Sequence, residues 1–134
     1  MSTGLENLWV YTLAEELEIG VHNLTKEFPR DELYRTVDQL RRSSSGTTNN
    51  IAESYQKTTI REKMRFIDIA KGEAEETKRN LIKSSRKGLV SESKIAPLVE
   101  QYTVLLKGLS AYSKFLAFSK PKLKTNQPKL KTIN

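Results

Sequence analysis

One histidine stands in the chain, His22, four residues after Glu18. That pair is the nearest approach to a metal-ligand spacing. A di-iron helical bundle needs Glu-x-x-His twice with two further glutamates, and Glu-x-x-His does not occur. With no cysteine there is no thiolate nucleophile, no Cys-ligated zinc and no disulfide framework. Serines are plentiful, but a nucleophilic serine needs a positioned base, and no glycine-rich phosphate loop is present. Neither an enzyme nor a metal or other cofactor is therefore expected, and His22 reads as a surface or interface residue.

Positive charge is what the chain has to work with. Lys and Arg number 23 against 16 Asp and Glu, a net +7. The excess is uneven: −4 over residues 1–28, +4 over 60–87 and +5 over 119–134. Clustered charge of this kind suits a polyanionic partner. Arg79, Lys83, Arg86 and Lys87 fall within about 100° of one helix face, opposite the apolar side. Cations near a helix C-terminus also complement its dipole, so an ordinary outer face is the competing explanation. Arg41 and Arg42 form a second candidate pair, although Asp38 is spaced to neutralise Arg42. Lys57 joins them. Lys120, Lys122, Lys124, Lys129 and Lys131 are spread along the last residues with no aromatic between them, which suits backbone contact without base stacking.

These residues need helices to position them. Four prolines and six glycines are the only strong breaks, and no strand-like alternation lies between them. Thr3 and Glu6 form a capping box, and Leu5, Trp9, Leu13, Leu17, Val21 and Leu24 recur at helical spacing. Phe28-Pro29 stops that helix and Pro29 opens the next. The stretch Ser43 to Asn50 has the composition of a linker. Yet the frame Leu33, Val37, Leu40, Ser44, Thr47, Ile51, Tyr55 stays within a sector of about 80°, so it predicts one helix about 40 Å long. Thr59 and Glu62 cap a third helix, which Lys87-Gly88 ends. A fourth carries Ile95, Val99, Tyr102, Leu105, Leu106, Leu109, Tyr112 and Leu116, with Pro97 tolerated near its start.

The reading is all-α: an antiparallel up-down four-helix bundle over residues 1–118, with helices at about 4–26, 30–56, 59–87 and 92–118. Residues 119–134 read as a disordered basic tail, in which Pro-Lys-Leu-Lys-Thr occurs twice. Ser45, Gly46, Asn49 and Ala52, with Glu53 beside them, give the second helix a small-residue face turned from the core. A subunit interface there is expected. No basic leader and no run of ~18 apolar residues appear, so a soluble cytoplasmic protein without a membrane partner is expected.

The residues of this central region resemble the 23S ribosomal RNA intervening-sequence proteins, also called the four-helix-bundle protein family. The pattern consists of Phe28-Pro29, Glu32 and Tyr34, Gln39-Leu40-Arg41-Arg42 and Asn50-Ile51-Ala52-Glu53. Glu62, Arg65-Phe66 and Ala70-Lys71-Gly72 follow without a gap. Trp9, Ala14, Leu17 and Leu24-Thr25 fit the first helix, and the likeness spans roughly residues 5 to 110. Departures are the Ser45-Gly46-Thr47-Thr48-Asn49 stretch, where the family's proline is missing, and Ser54, Gln56, Lys57 and Glu73 at its usual glycine, arginine and serine positions. The resemblance implies a four-helix bundle assembling as a homopentamer, with no established catalytic activity. More distantly it is similar in fold to the accessory protein of diversity-generating retroelements, a nucleic-acid-binding partner of a reverse transcriptase.

The function expected from all this is non-catalytic binding of nucleic acid, RNA rather than DNA, through phosphates, by an oligomer. The alternative is a protein-interaction scaffold or accessory subunit of a reverse transcriptase. Deleting residues 119–134 should lower the slope of log affinity against log salt. Equal RNA retention by intact and truncated chains at every salt concentration would remove the tail from the account.

Overall fold

The breaks between helices fall where residues unsuited to helix stand. A computed structural model describes residues 4–126, with side chains as far as Ser119. Gly4 takes a left-handed φ of 91° and precedes a 3₁₀ turn at Leu5–Asn7; the first regular helix, α1, is Trp9–Thr25. It therefore begins several residues later than the expected start near 4. Glu6 sits in the 3₁₀ turn, and Thr3 lies outside the described residues.

Beyond Pro29 the chain winds through a 3₁₀ turn at Arg30–Glu32 and a π turn at Leu33–Val37 into α2, Asp38–Gln56. The Ser43–Asn50 stretch is helix, as its preserved frame requires. Its N-terminal part is not regular, because Tyr34 leaves helical geometry at φ −96°, ψ 15°. The wide turn inserts extra arc and rotates what precedes it out of phase. Leu33 consequently leaves the core, 43% exposed, and the buried frame starts at Thr36 and Val37.

Helix α3 spans Ile60–Arg86. Its start is capped as the sequence predicts, the Glu62 N–H donating to Thr59 Oγ1 at 3.2 Å. Its end is a Schellman closure around Gly88, at φ 79°: the Leu89 N–H donates to Ser84 O at 3.0 Å and the Gly88 N–H to Ser85 O at 2.9 Å. Helix α4 runs Glu92–Asn126, with Pro97 in its second turn. It passes residue 118, where the apolar frame stops, and continues through Pro121. The first residues assigned to a disordered tail are thus helical, and 127–134 lie outside the described residues.

Each helix packs on its two neighbours in a closed ring, α1 on α2 and α4, α3 on α2 and α4. The core joins Val10, Ala14, Leu17 and Val21 to Leu40 and Ile51, Ile67 and Leu81, and Tyr102, Leu105 and Leu109. Trp9 is not within it. Its ring is 52% exposed and lies across Gly108, where a Cβ would collide with it. Between α2 and α3 the packing changes character: Ser43, Ser54 and Thr77 are all buried there, and α2 also buries Ser44, Thr47 and Thr48. Ser43 Oγ and Thr77 Oγ1 share a hydrogen bond of 2.6 Å across the seam, and Thr77 donates to Glu73 O at 2.9 Å. Ser54 donates to Lys63 O at 2.9 Å. Small hydroxyl residues let two backbones approach while leaving few polar atoms unpaired.

Tyr102 is the exception. It is fully buried, and its hydroxyl has no hydrogen-bond partner. Burial pushes its ionisation far above the ordinary phenol range, with the Glu18 carboxylate adding and neighbouring Thr77 working against it. An unpaired buried hydroxyl costs about 1–3 kcal/mol. Tyr102→Phe is accordingly expected to hold or raise the melting temperature. Ser43→Leu should overpack the seam and lower stability by about 1–3 kcal/mol. Calorimetry that finds the reverse order would show the seam to be looser than described.

Candidate nucleic-acid interface

Helical phase turns the last third of α3 outward as a basic ridge. Arg79, Lys83, Arg86 and Lys87 are all exposed, and among the described residues none has a carboxylate within ion-pair distance. The structure thus brings together the four cations that the sequence places on one face. The ridge adjoins the start of the second helical segment, since Arg35 and Lys87 both act on Glu32. The Glu32 carboxyl is held below its usual range first by the Thr36 hydroxyl, which donates to it at 2.8 Å, and then by those two cations. Arg86 also borders a shallow groove between α3 and α4 that holds Ile82, Val99 and the carboxylates of Glu92 and Glu100. Acid on that side biases an anion toward Lys83 and Arg79.

Other candidates are committed inside the fold. Arg41 is half-buried, and its Nε donates to Thr25 Oγ1 of α1 at 2.9 Å, so it ties α1 to α2 instead of facing solvent. Arg42 is exposed but paired with Asp38 at 3.3 Å. Lys57 pairs with Glu53 at 3.3 Å and lies over the Phe66 ring, 5.0 Å from its centroid. Lys120, Lys122 and Lys124 ride on the last turns of α4, while Lys129 and Lys131 lie outside the described residues.

The expected subunit face divides in two. Asn49 and Glu53 are exposed, and Ser45 and Ala52 half-buried, as an outward face requires. Gly46 is different: a Cβ there would come within 3.0 Å of the Glu73 Cδ. Its missing side chain makes room for α3 of the same chain. Glu73, partly desolvated above it and next to Glu76, has a carboxyl raised above its normal range.

Two surfaces escape the sequence reading. Arg61 and Arg65, in the first turns of α3, are exposed without a carboxylate partner. On α4, Val104, Phe115 and Phe118 are 41%, 62% and 78% exposed and share one helical face. Apolar residues nearly encircle α4, so following its buried frame alone hides this second stripe. His22 is exposed on α1, and no group of three or more potential metal ligands forms among the described residues.

Comparison with known proteins decides the family. The model of the 23S rRNA-intervening sequence protein matches residues 6–111, most of the chain. The protein belongs to the 23S rRNA-intervening sequence protein family. The residues that carry the resemblance in the sequence lie within this span. A solved structure of a protein of unknown function from the S23 ribosomal protein family of Bacteroides thetaiotaomicron superposes with a TM-score of 0.72. It is 24% identical, with 78% of this chain and 98% of that one covered, and at that identity the likeness establishes the fold. Among curated proteins none matches. In this intervening-sequence protein no helix among the described residues is long and apolar enough to cross a membrane.

The two classes of arginine should separate on mutation. Arg41→Ala is expected to cost about 1 kcal/mol of stability while leaving RNA affinity unchanged. The Arg79→Gln/Lys83→Gln/Arg86→Gln variant should melt like the parent and bind RNA more weakly. Thermal melts and RNA titrations on both variants check the assignment.

Proposed function

We propose that the protein is a non-catalytic, self-associating helical bundle of the cytoplasm that holds RNA by its phosphates. The observation that carries this reading is the outward ridge of Arg79, Lys83, Arg86 and Lys87 without a carboxylate partner, on a chain of net charge +7. Beyond their favourable position at a helix C-terminus, these cations repel one another, and a polyanion removes that repulsion. Such contact is sequence-independent and releases counterions. Self-association presents the ridge several times, so that modest contacts add as avidity. The family's name refers to ribosomal RNA inserts, which favours RNA over DNA as the polyanion.

A second reading is favoured by the α4 stripe of Val104, Phe115 and Phe118. Exposed aromatics grouped on one face suit a protein contact. That contact is either another copy, up to the pentamer implied by the resemblance, or an RNA-handling enzyme such as a reverse transcriptase.

Fluorescence anisotropy of labelled RNA over a salt series tests the first reading. Affinity is expected to fall steeply between about 50 and 200 mM salt, in proportion to the phosphates neutralised. No binding at the low-salt end would sink it. Light scattering at micromolar concentration tests the assembly: a monomer there removes both self-association and avidity.

A further inference from the structure

Arg61 and Arg65 stand where electrostatics disfavours them. The positive end of the α3 dipole lies at Ile60, so a cation in the first turn is opposed by the helix itself. The two guanidinium groups are also like charges at i and i+4, a spacing that places them side by side. Neither has a carboxylate within ion-pair distance, although Glu62 shares their shallow cleft with Thr59 and Asp68 follows one turn on. Nearby cations are already engaged. Lys63 Nζ caps α2 by donating to Tyr55 O at 3.0 Å and Ser54 O at 3.4 Å, and Lys57 is held by Glu53. Arg65 is fixed in place, its guanidinium over the half-buried Phe66 ring at 5.1 Å from the centroid. A local arrangement that works against its own helix marks a place where something other than folding is served.

Topology adds charge to this end of the bundle. Helix α4 runs antiparallel to α3, and Tyr102 lies level with Thr77. Continuing that register at the same rise brings residue 118 about level with Arg61. The last turns of α4, with Lys120, Lys122 and Lys124 in their sequence, therefore run past the α2–α3 turn. The helix carries its backbone to the same end of the bundle as the α2–α3 turn. The ridge at Arg79–Arg86 belongs to the other. Arg61 and Arg79 are separated by a rise of about 27 Å, well beyond the screening length of about 8–10 Å, with Asp68 and Glu75 between them. The two patches act as separate contacts.

From this placement we propose a second phosphodiester-binding surface at the α2–α3 turn, in which Arg61 and Arg65 contact the RNA backbone independently of the Arg79–Arg86 ridge. The proposal rests on RNA being the partner. The surface offers guanidinium forks and no free aromatic face, so it grips phosphates and does not read bases.

The test is a salt titration of the full chain with long single-stranded RNA. Arg61→Gln/Arg65→Gln should reduce the salt slope by about 1.4, two phosphates at about 0.7 each. Its melting temperature should stay the same or rise, since a like-charge pair at the wrong helix end has been removed, whereas residues retained for the fold would lower it. Arg61→Lys/Arg65→Lys should restore the slope. An unchanged slope in the glutamine variant, with the Arg79→Gln/Lys83→Gln/Arg86→Gln variant reduced, overturns this surface and leaves the RNA reading standing. Failure of the intact chain to bind RNA at low salt overturns both.

Discussion

The hydroxyl-lined contact between α2 and α3 governs the rest of the architecture. Ser43 and Thr77 meet at 2.6 Å, and Ser54 reaches Lys63 O at 2.9 Å along the same seam. Larger side chains would push these helices apart, and apolar ones of similar size would forgo the hydrogen bonds that pair the seam across and along the helices. Facing inward beside that seam, Leu40, Ile51, Ile67 and Leu81 of the same two helices join Val10, Val21, Leu105 and Leu109 of α1 and α4 in one aliphatic core.

Helix packing also sorts the cations. Those beside the helix contacts are used by the fold: Arg41 reaches Thr25, Lys63 caps α2, and Lys57 sits on Glu53 and Phe66. Those on the outer face of α3, from Arg61 and Arg65 to Lys87, have no carboxylate partner among the described residues. The acidic stretch between them, from Asp68 to Glu76, keeps the two ends distinct. A polyanion meeting this surface finds attraction at the ends and repulsion in the middle, which favours flexible strands over stiff ones.

Sequence periodicity carried the large features well. The phase kept between Leu40 and Ile51 identified helix through a stretch with the composition of a loop, and the Thr59 cap and Gly88 stop hold at atomic detail. What it missed has physical causes. A π turn consumes arc without any residue type that signals it, so Leu33 was assigned the wrong phase. Trp9 falls in the apolar frame by its spacing, but the space for its ring comes from Gly108 on another helix, a pairing invisible from spacing alone. In the candidate interface, charge counting found the Arg79–Lys87 ridge. It could not tell a cation with a partner carboxylate or hydroxyl from one without, and so named Arg41 and Lys57 and passed over Arg61 and Arg65.

Gly46 and Glu73 are both departures from the pattern the chain otherwise resembles, and they touch. Neither is independent of the other. A methyl group at position 46 would press on the Glu73 carboxylate, which can yield only by swinging toward water and giving up the partial burial that raises its pKa. The two positions therefore act as one: a side chain at 46 calls for a shorter or displaced residue at 73, and a long residue at 73 calls for a bare 46.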